Sequence, residues 1–328
     1  MKQKILAIVG PTAVGKSEVA ILLAEEIGAE IVSLDSRLVY RHLDIGTAKP
    51  SREIRGKIPH HLIDVAEPDQ TFSAADYVRA AKAVIAEIQR QGKRVLLVGG
   101  TGWYLKALMQ GLDPFPPADP QVRQKLQERL EGEGLESLYQ ELKQRDPATA
   151  ARIHPHDRYR IIRGLEICEI TGESPSILLA RDVPQGRSFA EFTLERSEGL
   201  RMTTGGVVIA CLYCEKERLR KQIEERTEAM LKEGLIEEVR GLLERGLAPT
   251  CTALRSVGYQ EAAAHLQGRV SWEELGPSIV LSTLQLAKRQ WVWWRGVSRL
   301  NWVYASLMQE NTLRRLTQNV FAQICRES

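Results

Sequence analysis

The chain has 328 residues, of which 43% are hydrophobic and 27% charged, and its formal net charge is +3. These fractions are ordinary for a globular protein and exclude disordered, fibrous and low-complexity classes. The excess of positive charge is too small to establish a nucleic-acid partner, so the placement of the charges has to decide that question.

The first element is the apolar run Ile5–Val9, a buried strand by its composition, ending at Gly10. Lys16–Ile27 follows with helical spacing at Val19, Leu22, Leu23 and Ile27, and Gly28 stops it. Glu30–Leu34 reads as a second strand, Tyr77–Gln91 as a helix, and Arg94–Val98 as a strand running into Gly99-Gly100-Thr101-Gly102. Strands alternating with helices predict an α/β fold with a parallel sheet flanked by helices. Composition changes at the proline cluster Asp113–Pro120, and the pattern is then almost wholly helical as far as Ala180. Residues 186–205 are polar and aperiodic and read as a linker or mobile loop. Gly206–Leu212 reads as a strand returning to the sheet, with Glu215–Arg245 and Ser278–Arg295 as later helices. The expected organisation is a P-loop-type core over 1–117 and 206–328, interrupted by a mostly helical insertion domain over 118–185.

Five cysteines (Cys168, Cys211, Cys214, Cys251, Cys325) are odd in number and scattered, which argues against a disulfide framework. Cys211 and Cys214 have redox or zinc spacing, but no second Cys/His pair completes a metal site and the pair closes a strand-like run instead of opening a helix, so buried thiols are expected. Met1-Lys2-Gln3-Lys4 leads straight into a strand without a signal-peptide pattern, and no apolar run is long enough for a bilayer. The expected setting is the cytoplasm.

Gly10-Pro11-Thr12-Ala13-Val14-Gly15-Lys16-Ser17 is the strongest chemical signal. Its glycines let the backbone curl so that several N–H groups face phosphate oxygens. Lys16 adds a positive charge, the following helix adds its dipole, and the Ser17 hydroxyl can bind Mg²⁺. Ligands of open α/β sheets lie beyond the carboxyl ends of the strands. The second strand ends at Asp35-Ser36 and a later one at Thr101, so a carboxylate and a hydroxyl are expected beside the phosphates. Arg226 falls on the stripe Leu219, Ile223, Met230, and an arginine on that face needs an anion: a diphosphate or a structural glutamate.

One part of an NTPase is missing. The strand Arg94–Val98 ends in glycines instead of a Mg²⁺-orienting aspartate, and no Asn-Lys-x-Asp guanine-reading motif occurs. The loop therefore fits a phosphate group that leaves without nucleotide hydrolysis. The residues alone leave open a small-molecule kinase and a non-catalytic RNA-binding protein that senses nucleotide.

Arg152, Arg158, Arg160 and Arg163 are opposed only by Asp157, with His154 and His156 between, which suits RNA phosphates as well as a solvated helix face. Lys288-Arg289-Gln290 lies beside Trp291, Trp293 and Trp294; tryptophans at these steps are expected to pack, leaving the basic residues toward RNA.

In order along the chain, Gly10–Ser17, Asp35–Tyr40, Asp44–Pro50, Pro59–Asp64, Leu97–Leu108, Arg152–Pro155, Arg160–Glu166, Val257–Tyr259 and Ala287–Gln290 resemble the tRNA dimethylallyltransferase (tRNA isopentenyltransferase) family. The resemblance extends to about Trp302. It implies transfer of a dimethylallyl group from dimethylallyl diphosphate to the exocyclic amine of adenosine 37 in tRNA. It also implies Asp35 as general base or hydrogen-bond acceptor for the adenine amine, and Lys16, Thr101, Arg226 and Mg²⁺ on Ser17 as stabilisers of the departing diphosphate. The tRNA anticodon stem-loop would meet Asp35, Ser36, Arg37, Leu38, Thr101, Arg123, Tyr159, Arg160, Ile161, Ile162, Arg163, Arg255, Ser256, Val257, Gly258, Tyr259 and Gln260, with the enzyme acting as a monomer. Leu38 and Tyr159 stand where the family usually carries glutamine.

Overall fold

The computed structural model describes residues 4–181, 206–298, 300–306 and 308–321. They divide into two compact units, falling within Met1–Met109 plus Leu200–Ser328 and within Gln110–Gly199. The units part ahead of the proline cluster, which therefore belongs to the second. The stretch 186–205, read above as a linker, lies outside the described residues, as does Cys325.

The first unit is built on a six-stranded sheet. Its strands are β1 (Ile5–Val9), β2 (Ala29–Ser33), β3 (His60–His61), β4 (Arg94–Gly99), β5 (Val207–Tyr213) and β6 (Asn301–Tyr304). They lie in the order β3-β2-β4-β1-β5-β6 and every pairing is parallel. All five residues of β1 and of β2 are buried, as strands covered on both faces should be. Side chains alternate between the faces. Ile5, Ala7 and Val9 join Tyr77, Ile85, Leu97 and Trp294 in one core, while Leu6 and Ile8 join Val19, Leu23, Leu212 and Leu316 in another.

Helix α1 (Lys16–Ile27) follows β1 and is closed at its C-terminus by Gly28. The short α2 (Arg52–Lys57) precedes β3. Helix α3 (Ala74–Arg90) begins at a capping box in which the Ser73 side chain and Asp76 satisfy each other's backbone. Helix α4 (Gly102–Gln110) leaves the end of β4. Beyond β5, the periodicity read as one helix over Glu215–Arg245 is two, α10 (Lys216–Lys232) and α11 (Leu235–Glu244). The break is Gly234, whose φ of 100° no side-chain-bearing residue adopts readily. Helices α12 (Tyr259–Leu266) and α13 (Trp272–Arg295) follow, and α14 (Gln309–Leu316) comes after β6. Helix α13 starts six residues before the position read from periodicity, because Ser271 and Glu274 form a capping box there. Helices α10–α13 pack on the segment after β2 through Val39, Tyr40, Leu43, Met230, Leu235, Tyr259 and Ile279.

The second unit is helical: α5 (Pro120–Glu133), α6 (Leu135–Arg145), α7 (Pro147–Ala150), α8 (Arg158–Thr171) and α9 (Pro175–Arg181). Leu126, Leu138, Leu142, Ile161 and Leu165 form its core and are fully buried, each worth roughly 1.5–3 kcal/mol by area removed from water. Among the described residues no helix is long and apolar enough to cross a membrane.

Candidate active site

Three strand ends meet beyond the carboxyl edge of the sheet. After β1, Gly10 lies so close to the Leu212 carbonyl that a Cβ there would collide with it, which is why the loop opens on glycine. Helix α1 starts at Lys16 without a side-chain cap, so its first N–H groups remain available to an anion. The Lys16 ammonium donates to the Pro11 carbonyl at 2.6 Å. Burial pushes its pKa down to about 8, with Asp35 opposing the shift and Arg226 adding to it.

After β2, the Asp35 carboxylate folds onto the following turn. Its Oδ1 accepts from the backbone N–H of Arg37 at 2.7 Å and of Leu38 at 3.4 Å. Among the described residues Oδ2 has no donor. After β4, Thr101 joins this turn: its N–H donates to the Leu34 carbonyl at 3.0 Å, and its Oγ1 accepts from the Ser36 N–H at 3.1 Å. The Thr101 hydroxyl also donates to Ser36 Oγ at 3.4 Å. Gly99 carries no side chain because Leu34's backbone occupies the space a Cβ would need. The Asp35 and Thr101 turns are thus one hydrogen-bonded body.

Lys16, Ser17, Asp35, Leu38, Thr47 and Arg226 line a single cavity of about 520 Å³. Thr101 is not part of that lining. Arg226 projects from α10, between the buried Ile223 and Met230, and donates to the Thr47 carbonyl at 3.4 Å. Among the described residues no carboxylate lies within ion-pair distance of it, so the structural-glutamate alternative is absent. Burial depresses the Arg226 pKa, against the pull of Asp35 and Glu18. Glu18 and Glu225 also line the cavity, but both are solvent-exposed. The site therefore holds two desolvated cations whose protein partners are carbonyls.

The wall carrying Thr47 is braced from beneath. Lys49, with a side chain 2% exposed, bridges Asp44 and Asp64 at 2.6 Å each, and Arg55 meets Asp64 at 2.7 Å. These cations hold the Asp64 carboxyl below its usual range against its own desolvation. Glu238 accepts from the N–H groups of Asp44 and Ile45 at 3.1 and 2.9 Å and also from the Tyr259 hydroxyl. A Cβ on Gly46 would enter the Tyr259 ring. None of these supports was identified in the sequence; the pattern Asp44–Pro50 was visible, its bracing was not.

Several sequence-assigned RNA contacts are placed differently. Tyr259 is fully buried and serves the wall just described, and Ser256 is buried with its hydroxyl on the Ala253 carbonyl. The Gly258 N–H is taken by Glu261 at 2.7 Å. Arg255 and Gln260 are exposed and Val257 is half-buried. Arg37 donates to the Thr252 carbonyl at 2.8 Å. In the helical unit the side chains of Ile161 and Ile162 turn into the core. Tyr159 is 71% exposed. Arg160 is exposed and pairs with Asp157 at 2.9 Å. Arg123 and Arg163 converge on Glu166, whose side chain is wholly buried, at 2.8 and 2.7 Å. On α13, Lys288 and Arg289 face solvent and Trp294 packs in the core, whereas Trp293 is half-exposed and meets Trp103 edge-on at 6.3 Å. Cys211 is buried and Cys214 partly so, and among the described residues no cluster of His, Cys, Asp and Glu could hold a metal ion.

Residues 38–297 match the IPP transferase family. A tRNA dimethylallyltransferase of Geobacter metallireducens is 45% identical over 302 residues, covering 92% of this chain and 93% of that one. A tRNA dimethylallyltransferase 1 of Trichlorobacter lovleyi is 44% identical over 303 residues, covering 92% and 94%. Among solved structures, the full-length tRNA isopentenylpyrophosphate transferase of Bacillus halodurans is similar with a TM-score of 0.69 and 33% identity, covering 99% and 98%. A eukaryotic dimethylallyltransferase solved acting on tRNA matches with a TM-score of 0.74 and 26% identity, covering 98% of this chain and 77% of that one.

Proposed function

The chain belongs to the IPP transferase family, and from that membership we propose that it moves a dimethylallyl group from dimethylallyl diphosphate to the exocyclic amine of adenosine 37 in tRNA. The observation that carries this proposal is the pairing of two desolvated cations, Lys16 and Arg226, with one carboxylate, Asp35, around a single cavity. Cations held on carbonyls alone are suited to an anion that brings its own charge. A diphosphate does so, and gains charge as it leaves.

In the proposed reaction the amine nitrogen forms a bond to the allylic carbon while the carbon–oxygen bond to the diphosphate breaks. The electron pair departs with the diphosphate, where the α1 N-terminus, Lys16 and Arg226 stabilise it. The amine proton passes to Asp35 Oδ2, the oxygen not engaged by the turn. Thr101 acts one step back, by fixing the Ser36 end of the Asp35 turn. Adenine's amine is a weak nucleophile, so orientation and proton removal both contribute.

Mg²⁺ fits here as a companion of the diphosphate. Such an ion is commonly held by substrate phosphates and a few protein oxygens, and Ser17 offers its hydroxyl in the cavity. When bound it supplies further neutralisation of the leaving group. The target base must be unstacked from the anticodon loop before it can react. Tyr159, able to stack, and Arg160, able to reach phosphate, are the exposed members of their segment and are proposed to meet the anticodon stem-loop.

Incubation with labelled dimethylallyl diphosphate, Mg²⁺ and tRNA tests the proposal. Label should enter tRNA without ATP. ATP consumption with no labelled RNA would make the protein a kinase, and preference for AMP over tRNA would make it a nucleotide prenyltransferase.

A further inference from the structure

The glycines of Gly99-Gly100-Thr101-Gly102 are there for close approach, and two of them are approached by the same helix. The Gln290 amide of α13 occupies the place of a Gly100 side chain, and the Trp293 indole, one helical turn on, occupies that of Gly102. Thr101 sits between these two contacts. The Gln290 amide uses both of its ends: Oε1 accepts from the Thr12 N–H at 2.7 Å, and Nε2 donates to the Gly100 carbonyl at 3.2 Å. One side chain therefore ties the phosphate loop to the turn that fixes Asp35.

We infer that Gln290 is a positioning residue that sets the distance between the departing diphosphate and the group receiving the amine proton. The inference rests on the function proposed above. Only a neutral group carrying both a donor and an acceptor satisfies both ends. An N–H needs an acceptor and a carbonyl needs a donor, and glutamine offers one of each in a fixed geometry. A carboxylate keeps the acceptor, loses the donor and sets a negative charge beside the diphosphate. Leucine fills the space and makes neither bond. Lys16, Arg226 and the remaining loop amides do not depend on Gln290, so diphosphate affinity should survive its loss. The relative placement of the reacting ends should not, and a misplacement of about 1 Å can lower a rate on the order of 100-fold.

Single-turnover transfer by wild type, Gln290→Leu and Gln290→Glu tests this, with wild-type labelling of tRNA in the same assay as the control on the function itself. Gln290→Leu should lower kcat about 10- to 100-fold, with KM for dimethylallyl diphosphate and the tRNA Kd within about threefold of wild type. Gln290→Glu should be equally slow at pH 8 and, relative to wild type, recover as the pH falls toward about 5. A protonated carboxyl is again a donor and an acceptor in one planar group. Unchanged kcat in Gln290→Leu would overturn the inference. So would a loss confined to KM, which would make Gln290 a phosphate ligand, or a Gln290→Glu profile parallel to wild type. A folding defect is separated by thermal midpoint and by the pH recovery, which an unfolded variant does not show. If wild type itself does not label tRNA, the proposed function fails first.

Discussion

The strand-end turns and the surface of α8 carry the two kinds of candidate residue, and they hold them differently. At the strand ends, Asp35, Ser36 and Thr101 are fixed by backbone hydrogen bonds, and short stretches of sequence stay together in space. On α8, neighbours in sequence point in different directions: Tyr159 and Arg160 face out while Ile161 and Ile162 face in. A run of adjacent residues can form a site on a turn. On a helix, only about one face of it can.

Substitutions at the strand ends should act on the chemical step, and those on the helical unit on RNA binding or stability. The largest effect is expected at Asp35: Asp35→Ala should slow the chemical step about 10²- to 10⁴-fold while tRNA affinity stays within about twofold. Single-turnover rates beside filter-binding titrations check this, and a loss mainly in tRNA binding would remove the base role. Arg226→Met should lower kcat/KM for dimethylallyl diphosphate about 10²- to 10³-fold, with binding of tRNA alone unchanged.

Lys16 gives a pH signature. Its folded-state pKa of about 8 lies below the ordinary 10.5, so the folded protein releases this proton first. The unfolded chain binds more protons at this group between those values, and the contribution of Lys16 to stability without ligand should rise with pH across that window. Lys16→Met should abolish this rise and, in the absence of diphosphate, raise the thermal midpoint at pH 7 by about 2–4 °C. Calorimetry of both proteins between pH 7 and 10 decides it; a lower midpoint in the variant would mean that the charge is compensated.

Smaller effects belong to the helical unit. Arg160→Ala should reduce the salt slope of tRNA binding by about one. Arg123→Ala instead leaves buried Glu166 with one arginine fewer, and should destabilise the helical unit by about 1–3 kcal/mol, read by urea unfolding. Smallest of all, Tyr259→Phe removes one hydrogen bond to Glu238 and should cost about 1 kcal/mol of stability, with a fewfold change in kcat.

The sheet and its phosphate loop were legible because parallel strands are continuous apolar runs and the loop spacing is local. Asp35 and Thr101 were legible because they end such runs. Strands β3 and β6 were not: one is two histidines, and the other is a short edge strand that the sheet recruits. Arg226 could be placed on a buried face by periodicity, but that no glutamate among the described residues pairs with it required the fold. Gln290 lies 278 residues from the loop amide it holds. Its signal was present in Gly100 and Gly102, glycines that no turn conformation demands, but only the packing shows which helix fills the space. At Ile161, Ile162, Ser256 and Tyr259 contiguity in sequence concealed inward-facing side chains.

In the proposed reaction carbon is transferred to one adenosine while diphosphate leaves from the Lys16–Arg226 cavity. Mass analysis of nucleosides tests it most directly, after reaction of purified protein with dimethylallyl diphosphate and either a tRNA bearing adenosine 37 or the same tRNA with guanosine there. Dimethylallyladenosine is expected from the first, none from the second, with release of one diphosphate per modified base. Modification that persists in the guanosine substrate, or diphosphate release without a modified nucleoside, would contradict it.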